Sequence, residues 1–140
     1  MRPIDKIIIH CSATERNKHI AVEEIAKWHV NRGWSEIGYH YVIELNGEIK
    51  KGRDIDKVGS HVAGHNNGSI GICYVGGVVD GKPADTMTGA QEVSLFRLID
   101  ALRVVFGNLD LYGHNDFTKS KACPSFKVRE KYKHLCNIQK

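Results

Sequence analysis

Lys6-Ile7-Ile8-Ile9-His10 is the stretch on which the fold turns. Three consecutive β-branched aliphatic residues leave no polar face, so the segment reads as a strand covered on both sides. Ser69-Ile-Gly-Ile-Cys-Tyr-Val75 has the same character and reads as a second, central strand, ended by Gly76-Gly77. A polar loop is expected from there to Asp85. Tyr39 to Leu45 reads as another strand, Asn46-Gly47 is a strong hairpin signal, and Glu48 to Lys50 returns. Leu109 to Tyr112 is a further short strand.

Helical signals fall between these strands. Thr88 and Gln91 form a Thr-x-x-Gln capping box, in which each side chain satisfies a free amide of the first turn. Val93, Phe96, Leu98, Ile99, Leu102, Val105 and Phe106 then make a broad apolar stripe that Gly107 ends. Val22, Ile25, Ala26 and His29 recur at helical spacing, with Gly33 as the stop. A last helix is expected over Val128 to Leu135, after an irregular stretch from Gly113 to Ser125 that contains Pro124. Strands alternating with helices, plus a hairpin, predict the α/β class with a single mixed β-sheet flanked by helices.

The chain of 140 residues suits one domain spanning residues 1–140. With 41% hydrophobic and 26% charged residues it falls among ordinary globular chains that can bury a core. No internal repeat or low-complexity tract interrupts it. No apolar run approaches the roughly 20 residues of a membrane span, so no membrane insertion is expected. The run after Met1-Arg-Pro-Ile-Asp-Lys6 is too short for a secretion signal. Synthesis in the cytoplasm without a signal peptide is the expectation, with release needed before any action on a cell wall. The four cysteines are then free thiols or metal ligands rather than disulfides. A net charge of +4 with no dense Lys/Arg cluster leaves nucleic acid an unexpected partner.

Eight histidines offer candidate ligands. His29 lies on a helix face, and His19 and His134 sit in polar surroundings. His10 differs, because it stands where a buried strand runs out. His114 follows another short strand, and strand ends are where open α/β sheets place ligands. Cys123 comes nine positions after His114 in a loop stiffened by Pro124. Two histidines and one thiolate would give zinc three protein ligands and leave a fourth position open, the pattern of a catalytic site. Cys11 points to the other face of the strand from His10 and is a poor co-ligand. Cys73 reads as a small core residue. His…His-x8-Cys is a weak signal by itself, and no His-Glu-x-x-His helix is present.

Several motifs taken together are more specific. Ile9-His-Cys-Ser-Ala-Thr14, Gly33-Trp34, Gly38-Tyr-His-Tyr41, Gly52-Arg-Asp54, Val58-Gly-Ser-His61, Asn66-Asn-Gly-Ser-Ile-Gly71, Gly113-His114 and Lys121-Ala-Cys-Pro-Ser-Phe126 occur in order over nearly the whole chain. In this the sequence resembles the phage-type zinc N-acetylmuramoyl-L-alanine amidases, with the peptidoglycan-recognition proteins as more distant relatives on the same fold. The resemblance implies one catalytic Zn2+ held by His10, His114 and Cys123. It implies catalytic roles for Tyr39, whose phenol would hydrogen-bond the attacking water or the tetrahedral intermediate, and for Lys121, whose cation would stabilise the oxyanion. Packing of Tyr39 on the sheet and a solvated Lys121 are the alternatives that the residues alone leave open. His61 matches a segment that would line the substrate groove or order its loop. Asn66 would be a substrate contact or a turn residue. Trp28 and Trp34 offer sugar-stacking or packing surfaces.

The expected reaction is hydrolysis of the amide between N-acetylmuramic acid and L-alanine in bacterial peptidoglycan, with peptidoglycan or a soluble muropeptide as substrate and a monomer as the acting species. A compact phage or prophage lysis enzyme fits this best. A non-catalytic peptidoglycan-binding module and a cytoplasmic muropeptide-recycling amidase are the rivals. The retained Cys123 separates the enzyme from relatives that only bind.

Overall fold

A computed structural model describes residues 2–136, so residue 1 and residues 137–140 of the expected domain lie outside the described residues. The strands are β1 (Lys6–Cys11), β2 (Thr14–Glu15), β3 (Tyr41–Ile43), β4 (Ile49–Lys51), β5 (Ser69–Tyr74), β6 (Gly77–Val79), β7 (Lys82–Pro83) and β8 (Asp110–Gly113). The helices are α1 (Val22–Asn31), α2 (Gly89–Phe106) and α3 (Val128–Lys131). The main sheet runs β4-β3-β5-β1-β8. Strands β3, β5, β1 and β8 are parallel, and β4 pairs antiparallel with β3 through the Asn46-Gly47 turn. This is the expected mixed sheet, with both central strands, β1 and β5, almost wholly buried.

Strand alternation divides the residues of β1 and β5 between two faces. Ile7, Ile9 and Cys11 join Ile70, Ile72 and Tyr74 in a core against Leu95, Leu98, Ile99 and Leu102 of α2. On the opposite face, Cys73, Val42 and Val75 pack with Val22 and Ile25 of α1. His10, in register with Cys73, therefore faces away from α2, while Cys11 is committed to the α2 core.

Polar anchors attach each helix to the sheet. The buried Glu44 carboxylate, just past β3, accepts the Val22 N–H of α1 at 2.9 Å, where a negative charge meets the positive end of the helix dipole. The capping box of α2 forms as expected, with Thr88 Oγ1 and Gln91 Oε1 each accepting an amide at 3.0 Å. Gln91 is also fully buried, and its Nε2 donates to the Val75 carbonyl at 2.9 Å, fixing α2 to the end of β5.

Four expectations need correction. The stretch read as a polar loop up to Asp85 contains β6 and β7, which with β2 form a second sheet ordered β2-β6-β7. The turn between them is Asp80-Gly81, both residues at positive φ (50° and 78°), the conformation that Asp-Gly hairpins adopt. In α2, Val93 and Val105 are exposed, whereas Leu95 is fully buried. The buried positions 91, 95, 98, 99 and 102 follow one helical face, and Val93 and Val105 lie off it. The last helix ends at Lys131 because Tyr132 leaves helical geometry (φ −112°, ψ 35°), and Lys133–Leu135 continues as a single 3-10 turn. The buried Tyr132 donates its hydroxyl to Glu92 at 2.8 Å. The third strand is shorter than Tyr39 to Leu45, beginning at Tyr41.

Candidate metal centre

His10 reaches the site from the C-terminal end of β1, and His114 follows directly on β8, the neighbouring parallel strand. Cys123 comes from the loop beyond. A ring nitrogen from each histidine and the Cys123 sulfur lie within 4.8 Å of one another, so the three residues could hold a metal ion. His10 turns Nδ1 toward that sulfur, at 3.7 Å.

The loop carrying Cys123 is held by several hydrogen bonds. Asn115 donates its backbone N–H to the Cys123 carbonyl at 2.9 Å and its side-chain amide to Ala122 and Phe126 carbonyls, both at 3.2 Å. Tyr74, at the end of β5, donates its hydroxyl to the Pro124 carbonyl at 2.7 Å, and Ser125 Oγ donates to Gly77 at 2.8 Å. The loop is irregular but anchored to the strand ends around it.

Electrostatics favour the metal-binding form of the two histidines. Burial is the first cause holding His10 well below its ordinary pKa, and its histidine neighbours His61, His114 and His29 add to it. His114 is lowered by burial and then by the Lys121 cation. Both imidazoles are therefore neutral, the state in which they bind metals. The adjacent Cys11 thiol and burial push the Cys123 thiol up, although the Cys11 amide donates to its sulfur at 3.2 Å. A thiolate there calls for a cation at the sulfur. Two neutral imidazoles and one thiol suit zinc, which takes nitrogen and sulfur donors.

Of the other expected residues, Tyr39 and His61 pack directly against His10. The Tyr39 ring lies 5.0 Å from the His10 ring, centroid to centroid. Burial first, then the thiols of Cys73, Cys123 and Cys11, push its pKa well above the usual phenol value, so it stays protonated. Lys121 is exposed and helps to line an open cavity of about 700 Å³ with Asn115, Asp116, Lys119, Ser125 and Phe126. His61 is buried behind His10, with Nδ1 at 2.8 Å from His10 Nε2. Asn66 accepts the His61 and Val62 backbone N–H groups on its Oδ1, each at 2.8 Å, the behaviour of a turn residue. Trp34 packs its ring on His29, centroids 4.5 Å apart. His29 accepts the Gly38 N–H at 2.9 Å, and His19 and His134 are exposed as expected.

Sequence reasoning missed Asn115 and Ser69. Asn115 has no signal beyond its position between His114 and Cys123. Ser69 bonds to His61 across a short loop, and nothing in its neighbours announces that.

The family model for N-acetylmuramoyl-L-alanine amidase matches residues 1–126. The endolysin of Klebsiella phage KP32 is 42% identical over 125 residues, covering 89% of this chain and 82% of that protein. A peptidoglycan-recognition protein of Drosophila simulans is 32% identical over 142 residues, covering 98% of this chain and 73% of that protein. Among solved structures, the endolysin N-acetylmuramoyl-L-alanine amidase LysCS from Clostridium intestinale superposes with a TM-score of 0.79 at 30% identity, covering 94% of this chain and 85% of that one. With the mixed sheet and the site at its strand ends, these matches make the chain a member of the N-acetylmuramoyl-L-alanine amidase family.

Proposed function

We propose that the chain is a zinc-dependent amidase, cleaving the bond between the lactyl group of N-acetylmuramic acid and the L-alanine of the stem peptide. The observation that carries this reading is the convergence of His10, His114 and Cys123 within 4.8 Å. His10, His114 and Cys123 would hold one zinc ion. Zinc at these ligands supplies Lewis acidity, which activates water near neutral pH and polarises the amide carbonyl.

The chain's own residues supply the rest. Tyr39, protonated and beside His10, offers a hydroxyl donor to the oxygen that gains charge as the amide carbon turns tetrahedral. Lys121, close enough to depress the His114 imidazole, brings a positive charge to the same region and stabilises that oxyanion. Asn66 shapes the loop behind the groove through its bonds to the His61 and Val62 amides. The whole chain acts as one catalytic domain and as a monomer, on peptidoglycan or soluble muropeptides. It is made in the cytoplasm and meets the wall during phage or prophage lysis. The KP32 relative, an endolysin by name, supports that setting.

Digestion of purified peptidoglycan tests the reading, scoring new L-alanine amino termini against new reducing sugar ends. The expected result is amino termini without reducing ends, lost on chelation and restored by zinc. Binding to peptidoglycan with no new termini of either kind would instead make the protein a recognition module.

A further inference from the structure

Behind the candidate metal centre, His10, His61 and Ser69 form a buried line of side chains ending on backbone carbonyls. Ser69 Oγ lies 2.9 Å from the His65 carbonyl and 3.1 Å from the Asn66 carbonyl. A carbonyl only accepts, so the Ser69 hydroxyl spends its one proton there. Ser69 Oγ then meets His61 Nε2, at 3.3 Å, with a lone pair. His61 must therefore carry its proton on Nε2 and leave Nδ1 bare. That bare Nδ1 sits 2.8 Å from His10 Nε2, which must be the donor. His10 is left with its lone pair on Nδ1, the atom turned toward Cys123.

Packing keeps the line in place. A Cβ at position 71 would stand 2.7 Å from the His61 ring, and one at position 59 would stand 2.6 Å from it. Gly59 and Gly71 thus leave the slot in which the ring sits. The His10 and His61 rings meet edge to face at 87°, and Asn66 fixes the His61 backbone. His61 and Ser69 are both buried, so the geometry is that of a support behind His10 rather than of a surface that touches substrate.

We propose that His61, itself set by Ser69, is the positioning residue that fixes the tautomer and ring orientation of His10, and so prepares its Nδ1 to bind the metal. The proposal rests on the zinc-amidase reading. Outer partners of ligating histidines generally act in this way, and losing one typically costs about 10–100-fold in metal affinity or activity.

Two measurements test it on the full chain. The first is nitrogen NMR of the imidazoles in the zinc-free protein, which needs no metal and so stands apart from the amidase reading. Both His10 and His61 should be protonated on Nε2, and a proton on His61 Nδ1 would overturn the proposal. The second is zinc affinity by competition with a chromophoric chelator. His61→Phe should weaken zinc binding about 10–100-fold. His61→Gln, whose carbonyl can accept from His10 and whose amide can donate to Ser69, should recover most of that loss. Ser69→Ala should fall between the two, and it carries the test if His61→Phe does not fold. Wild-type zinc affinity in both His61→Phe and Ser69→Ala, or no recovery in a folded His61→Gln, would contradict the positioning role. A wild-type protein that bound no zinc, with the expected tautomers intact, would count against the amidase reading alone.

Discussion

His10 stands on a strand paired on both sides, whereas His114 opens a short 3-10 turn just past β8 and Cys123 stands on the loop beyond it. The strand half is held by pairing with β5 along its length and with β8 as far as Ile9, and its side chains alternate between two packed cores. The loop half has no such ladder. It relies on individual hydrogen bonds, chiefly from Asn115, Tyr74 and Ser125. The difference shows how one candidate site can combine a strand-borne ligand candidate with two others on a half-exposed rim, where a substrate can reach them.

The largest test of this division removes one of the proposed loop ligands. Cys123→Ala or His114→Ala should lose both metal retention and amidase activity while the strand half keeps the fold, as metal analysis, turnover and far-UV circular dichroism would show. Full activity with full zinc content in Cys123→Ala would remove the loop half from the account. Next, Lys121→Ala and Tyr39→Phe should keep the metal and lose rate. For Lys121→Ala the expected loss is about 10²–10³-fold in kcat, or about 2.7–4 kcal/mol, for one preorganised stabilising group.

A smaller effect belongs to the strand and helix half. The His29 imidazole is held down to about 4, by burial first and then by the charges of Arg32 and Arg53. In the unfolded chain it titrates near about 6.5. The unfolded state therefore binds more protons between those values, and stability falls as pH drops from about 6.5 to about 4. The loss is at most about 3 kcal/mol, levels off below that window, and should shrink in His29→Leu. Urea unfolding at several pH values would show it, and an unchanged pH profile in His29→Leu would assign the effect elsewhere.

The smallest expected change is in Asn115→Ala, which frees the Ala122 and Phe126 carbonyls on either side of Cys123. It should destabilise the protein by about 1–2 kcal/mol and weaken zinc binding out of proportion to its effect on Tm. A loss confined to Tm would mean that the loop needs no clamp to present its sulfur.

The same division governs what could be read in advance. Ile7-Ile8-Ile9, the Thr88–Gln91 box and Asn46-Gly47 announce their structures because periodicity and capping are local properties of the chain. The side sheet was hidden because its strands run two or three residues, too few for a pattern, although Asp80-Gly81 carried the turn signal. Leu95 and Val93 were confused because the true face of α2 is set by its docking on β1 and β5. At the site, His10 was marked by its place at the end of a buried strand. Grouping it with His114 and Cys123 depended on family resemblance, since the irregular chain between Gly113 and Ser125 has no period from which a meeting point follows. The bonds of Ser69, His61 and Asn115 were illegible for a related reason, because each depends on where a neighbouring loop turns back.

X-ray absorption at the zinc edge of the purified protein, with metal content measured on the same sample, tests the central claim most directly. One zinc per chain is predicted, with one sulfur near about 2.3 Å and two imidazole nitrogens near about 2.0–2.1 Å, the sulfur lost in Cys123→Ala. No bound zinc, or zinc whose shell contains no sulfur in the unmodified protein, would contradict it.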